Sequence, residues 1–208
     1  MIFLVYLIGV PFVLMGLATA FKSWRGSRRP RRIRGIFGGL LIAIGGFAFF
    51  SFAAVSMGGW NVPFEWPVGR ASQIIQLPEG LQVVTHTASG RIQVYDASWN
   101  YIRGWPVDAG GGVFKARKTP NGALEVWTTR GGKRFVFATD GRLKEATTYP
   151  TAAYDDFEAD GLPGLVPTPL PLWIFAHPFA AWAMAAMGML LLITSNPPRS
   201  RARQGGPA

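Results

Sequence analysis

The 208-residue chain contains no cysteine, has only two histidines, and carries no acidic residue before Glu65 or after Asp160. Without cysteine there is no disulfide, zinc finger, reactive thiol or c-type haem attachment. The two histidines, His86 and His177, are far apart in the sequence, and neither belongs to a spacing that ligates a metal or haem. No GxSxG, phosphate-binding loop or HExxH is present. Gly110 to Gly112 and the RGGKR of residues 130–134 read as hairpin turns, because strand-like runs flank them and no helix N-terminus follows to cradle a phosphate. His86 and Asp96 read as ordinary sheet residues, since no nucleophile accompanies them. These absences argue against an enzyme and against a bound cofactor.

The confinement of acid has a second consequence. All 11 acidic residues lie between Glu65 and Asp160, where 11 basic residues balance them, so the formal charge of +10 arises in two short segments. One, residues 22–34, holds Lys22, Arg25, Arg28, Arg29, Arg31, Arg32 and Arg34; the other holds Arg199, Arg201 and Arg203. Neither has the aromatic stacking platform or folded module that nucleic-acid recognition uses, which argues against RNA or DNA as a partner.

Three uncharged runs flank the basic segments. Residues 2–21, 36–57 and 170–194 are each long enough to cross the ~30 Å hydrocarbon core of a bilayer as a helix. The sequence therefore predicts transmembrane helices over 1–21, 35–57 and 170–194, a basic loop over 22–34 and a basic tail over 195–208. This order puts Lys22 to Arg34 and Arg199 to Arg203 on one side, as the positive-inside rule requires. The N-terminus and residues 58–169 then lie outside and the C-terminus in the cytoplasm. Contacts of the arginines with anionic headgroups add about 1 kcal/mol each. A cleaved signal peptide is disfavoured, because the positive charge follows the first apolar run instead of preceding it.

Small residues at Gly35, Gly39, Ala43 and Gly46 line one face of the second run, and Ala181, Ala185 and Gly188 do the same in the third. Such faces let helix backbones approach closely, within this chain or against another subunit. Trp60, Trp66 and Trp173 at the outer boundary and Trp24 at the inner one form the expected aromatic belts. Pro11 and Pro178 are expected to bend their helices, and His177 is expected to be an interfacial or structural histidine.

Residues 58–148 have another character. Runs such as LQVVTH, RIQVYD, ALEVWT and KRFVFA alternate between SG, NG, GG and DG turn signals, which is the signature of antiparallel strands. Residues 87–95 and 119–127 repeat the pattern T-x-x-G-x-[IL]-[QE]-V-[YW], and residues 138–143 (ATDGRL) echo its turn. The stretches SGRIQVYDASWNYIRGW and NGALEVWTTRGGKRFVFATDGRL resemble blades of NHL-type and related β-propellers over residues 71–148. That resemblance implies a binding platform and no catalytic residues. Only about two blades fit where closure of a propeller needs at least four. The segment is thus either a self-contained meander or sandwich, or it pairs its edges with another chain. Residues 149–169, rich in proline and acid, read as a stiff linker. Within it Asp156, Glu158 and Asp160 imitate half of a calcium loop, but Pro167 stands where the bidentate glutamate is needed.

The fold class is therefore α-helical transmembrane spans plus a small antiparallel β domain outside the cytoplasm. Richness in Ala, Gly, Arg and Pro points to a bacterial cytoplasmic membrane. The expected role is an accessory or scaffolding subunit of a larger membrane complex, with the lipid bilayer and partner subunits, or further copies of itself, as partners. The alternative is a membrane-anchored sensor or ligand-binding module.

Overall fold

A computed structural model describes residues 2–26, 29–57 and 63–195. Three helices are long and apolar enough to cross a membrane, and two antiparallel sheets form the β domain. Helices α1 (Ile2–Gly26) and α2 (Arg29–Ser56) are separated only by residues 27 and 28. The basic segment expected as a loop is therefore helical over most of its length. Arginine and lysine are good helix formers, so the helices run on past their apolar stretches and carry Lys22, Arg25, Arg31, Arg32 and Arg34 at one end. Pro11 lies inside α1 without breaking it.

The third apolar run is broken. A short helix α3 (Trp173–Ala176) ends at His177, which is extended at φ −147° and ψ 130°, and α4 (Pro178–Ser195) follows. The cause is local: a residue before proline is driven out of the helical region, and proline itself suits the first turn of a helix. What was expected as a bend in one span is a break, and the long helix begins only at Pro178.

Helix α2 packs against both α1 and α4, which barely meet each other. Its predicted small face belongs to α1. A Cβ on Gly39 would stand 2.6 Å from the backbone of Gly16 and Ala20, Gly46 lies on the Phe12 ring, and Gly35 touches Ser23. Ala43 meets Gly16 in the same seam. The face of α4 carrying Ala181, Ala185 and Gly188 packs on a second small face of α2, formed by Gly38 and Gly45 around Ile42. Both stripes are thus occupied within the chain.

In the β domain, strands β1 (Arg70–Gln76), β2 (Gln82–His86), β3 (Arg91–Tyr95) and β4 (Tyr101–Pro106) form one meander. Strands β5 (Phe114–Lys118), β6 (Leu124–Thr128), β7 (Lys133–Phe137) and β8 (Leu143–Thr148) form a second. Their facing sides close over one core that includes Ile75, Val83, Ile92, Val94, Trp105, Phe114, Val126, Phe135 and Phe137. The two meanders thus close a core within the chain, and β8 is left as an edge strand.

The sequence repeat is explained by turn chemistry. Gly90, Gly122 and Gly141 have φ of 64°, 74° and 90°, and each donates its N–H to the carbonyl three residues earlier, at Thr87, Thr119 and Ala138. This is a turn whose last residue must be left-handed, where glycine carries no steric cost. Trp99 occupies the same place in the β3–β4 turn at φ 65°, with its N–H on the Asp96 carbonyl. Asp96 braces that turn by accepting from the N–H groups of Ser98 and Asn100. The repeat does not mark equivalent strands, since it falls on the third strand of one meander and the second of the other.

The segment read as a linker is part of the β domain. Strand β9 (Leu162–Leu165) pairs antiparallel with β1 across an irregular register, and Pro163 is tolerated there because the strand is an edge. The two sheets are also joined by a side chain. Gln73 on β1 is buried; its Oε1 accepts from Ala116 N–H at 2.9 Å, and its Nε2 donates to the carbonyls of Ala116 at 3.0 Å and Asp160 at 2.7 Å. The amide copies a strand partner and ties β1, β5 and the 149–169 segment together. Gln73→Leu should lower the stability of the detergent-purified protein by about 2 kcal/mol, because the Ala116 N–H and the Asp160 carbonyl lose their partner while the Ala116 carbonyl keeps the Asp160 N–H. Gln76→Leu, at the exposed end of the same strand, should leave the thermal transition nearly unchanged.

Candidate functional site

The β domain does not hang from the helices on a flexible tether. After α2 the chain reaches Glu65 and Trp66, and the backbone of Trp66 is captured by Gln93 of β3. Gln93 Oε1 accepts from Trp66 N–H at 2.7 Å and Nε2 donates to the Trp66 carbonyl at 2.9 Å. The same Nε2 donates to the Tyr95 hydroxyl at 2.9 Å, which in turn donates to Glu65 Oε1 at 3.0 Å. The Trp66 indole packs with Phe52 and Val55 of α2 and meets Phe175 of α3 edge-on at 6.4 Å. Helix, strand and third apolar segment thus converge on one residue.

Trp66 was expected to face headgroups as part of an aromatic belt. It is 4% exposed, because Gln93 fixes its backbone against the sheet and directs the ring onto α2. Trp173 is partly exposed and donates its indole N–H to the Thr168 carbonyl, and Trp24 is exposed at the arginine-rich end beside Phe21 and Arg32. Trp60, Arg28, Arg199, Arg201 and Arg203 lie outside the described residues, as does the side chain of Arg29.

Gln93 and Tyr95 are the seventh and ninth positions of the repeat, and the second copy also bonds these two positions to each other, with the direction reversed. Trp127 Nε1 donates to Glu125 Oε1 at 3.0 Å, on the face of β6 turned away from the core. Glu125 also accepts from Arg117 Nε at 2.7 Å and Arg134 Nε at 2.5 Å, and Arg134 continues to Glu145. Burial raises the Glu125 pKa, but the hydrogen bonds from Arg134, Trp127 and Arg117 outweigh it and hold the carboxyl below its usual range. Trp127 lies between Tyr149 at 4.0 Å and Phe157 at 4.8 Å, and Arg117 covers Phe157. The aromatic faces that a glycan would stack on are taken by the protein itself.

Around Gln93, Arg91 is fully buried. Burial lowers its pKa, opposed by the nearby Tyr101 hydroxyl. Tyr95 is pushed strongly upward, first by burial and then by the Glu65 carboxylate. The Tyr95 hydroxyl therefore keeps its proton and serves as a fixed donor to Glu65.

The two histidines, distant in sequence, both lie near this junction. His86 is buried at the end of β2, with Nδ1 2.7 Å from Ser89 Oγ; Ser89 is itself sealed, so the pair has no route to a substrate. His177 at the α3–α4 break is exposed, accepts the Phe179 N–H on Nδ1 at 3.3 Å and stacks on the Phe179 ring, capping α4. It is close enough to disfavour a charge on His86. Asp96 lies at the opposite end of the β2–β3 hairpin from His86. Of the calcium-like residues, Asp156 and Glu158 are exposed, and Asp160 accepts the Lys118 N–H at 2.6 Å. Among the described residues no group of three or more His, Asp or Glu side chains could hold a metal ion.

No known protein family and no curated protein matches the chain.

Burial, and next the charge of His177, lower the His86 pKa from 6.5 to about 4. Between these values the unfolded chain binds a proton that the folded chain does not, so stability is complete above pH 6.5 and falls as the pH drops toward 4. The protein should lose about 3 kcal/mol across that window, and His86→Gln should flatten it, as read from thermal transitions at a series of pH values.

Proposed function

We propose that the protein is a three-span component of a bacterial cytoplasmic membrane, with its N-terminus and β domain outside, its arginine-rich end and C-terminus in the cytoplasm, and a scaffolding role within a larger membrane assembly. The reading is supported by the three apolar helices and by the basic residues gathered at one end of α1 and α2.

One observation carries the scaffolding role: the β domain is locked to the helices through Trp66 and Gln93, which holds it at one height and orientation. A tethered receptor has no need of that constraint, whereas a subunit that presents a surface to neighbours does. The surfaces it presents are the edge strand β8, exposed along all six residues, and the outer flanks of α1 and α4, where Leu7, Ile8, Leu14, Trp182, Leu190 and Ile193 are exposed. The closed core of the β domain removes incomplete blades as a reason to expect a partner, and it favours a second reading, a ligand-binding module anchored in the membrane.

The two are separated by the mass and composition of the particle extracted from its own membrane in mild detergent. The scaffolding reading predicts stoichiometric co-purifying subunits or a defined oligomer. A particle holding a single 22.6 kDa chain contradicts it.

A further inference from the structure

At the β-domain end of the helices two grooves share a wall. The lower one runs between α1 and α2 and is almost wholly apolar, with Val10, Val13 and Leu14 facing Phe47 and Phe50. The upper one, bounded by Phe64, Glu65, Trp66, Leu172 and Phe175, opens where α2 leaves the apolar layer. Phe47 and Ser51 line both, so the two form one path along α2.

The polar groups on this path are concentrated at its upper part, and two of them, the Ser51 hydroxyl and the Trp66 indole N–H, lack partners. Ser51 is more than nine-tenths buried, and its hydroxyl makes no hydrogen bond among the described residues. Thr19, Ser56, Thr194 and Ser195, by contrast, bond back to helix carbonyls. The indole N–H of Trp66 is buried with no acceptor. An orphaned donor in such a place costs free energy unless a ligand satisfies it, and because the Trp66 N–H is sealed, an occupant meets it by shifting the ring toward the groove. Glu65 presents a carboxylate at the rim, of which Oε1 is engaged by Tyr95 and Oε2 is open.

The order of these groups identifies the occupant. From the middle of the helices outward come hydrocarbon walls, then two hydrogen-bond donors, then a negative charge. Ser51 lies five residues before the end of α2, about 8 Å below it. A phospholipid with an amine headgroup has the complementary order of acyl chain, ester and phosphate oxygens, and cation. A partner helix offers no such sequence of groups, and a lipid with an anionic headgroup would meet the Glu65 carboxylate.

We infer that the chain binds one outer-leaflet phospholipid with a cationic amine headgroup, its acyl chain along Phe47 and Val10, its ester oxygens at Ser51 and the Trp66 indole, and its amine on Glu65. This rests on the membrane-spanning reading above. The bound lipid would fill the seam between α1, α2 and the strap before β1, and would add to the joint that fixes the β domain.

The test uses the full chain reconstituted in phosphatidylglycerol vesicles that contain a minor share of phosphatidylethanolamine, extracted in mild detergent and weighed intact by mass spectrometry. The expected result is one phosphatidylethanolamine retained per chain, favoured over phosphatidylglycerol by roughly tenfold, the value of one charge-assisted contact. Glu65→Gln keeps the shape of the site, while Trp66→Phe removes the indole N–H together with part of the ring; each should cut retention severalfold, with a smaller loss for Ser51→Ala. Equal retention of both lipids, or undiminished retention in both variants, overturns the inference. An alkaline wash of the vesicles separates the two levels of failure. Release of the chain into the soluble fraction overturns the spanning reading and the lipid site together; a chain that stays in the membrane but retains no phosphatidylethanolamine overturns the site alone.

Discussion

A buried amide that pairs with a passing backbone is the interaction on which this architecture turns. Gln73 and Gln93 each lie on a strand of the larger sheet, and each offers an acceptor and a donor to the N–H and C=O of one residue elsewhere, Ala116 for one and Trp66 for the other. A glutamine buried without partners would be costly, whereas one matched on both sides adds directionality that apolar contacts lack. Gln73 sets how the two meanders meet. Gln93 sets how the larger meander meets the helices.

The helical layer complements this arrangement. Two glycine-lined faces of α2 admit α1 and α4 so closely that added Cβ atoms would strike backbone, and this fixes α2 as the central strut. The end of that strut packs under the Thr87–Ser89 turn and against Trp66. With His86 sealed beside that turn and His177 capping α4 nearby, the junction is formed from α2, α3, the start of α4 and the sheet.

Much of this was legible in the sequence, at the level where one segment suffices. Apolar length revealed the long helices, and alternation with glycine turns revealed the strands. The repeat was visible but its meaning was divided: Gly90 and Gly122 encode a turn, while Gln93 with Tyr95 and Glu125 with Trp127 encode a bonded pair that a crossing segment must cover. A polar residue amid buried strand positions is a signal that a partner is needed, but it does not say which one. Trp66 was misplaced because position after an apolar run suggests an interface, and only Gln93, 27 residues on, shows otherwise. Residues 149–169 were read as a linker from their prolines, since β9 gains its order from the free edge of β1 and not from its own Leu-Pro-Gly-Leu sequence. Pro178 was read as a bend within one span, but the extended backbone of His177 makes it a break.

The claim that the β domain is held rigidly on its helices can be measured directly, and the absence of native cysteine makes the labelling clean. Spin labels at Lys22→Cys, at the arginine-rich end of α1, and Asp140→Cys, in the β7–β8 turn, would be read by double electron–electron resonance in the reconstituted protein. The account predicts a single narrow distance distribution that broadens when Gln93→Leu frees the Trp66 backbone. A broad distribution in the unaltered protein would mean that the domain swings on a tether, and would contradict it.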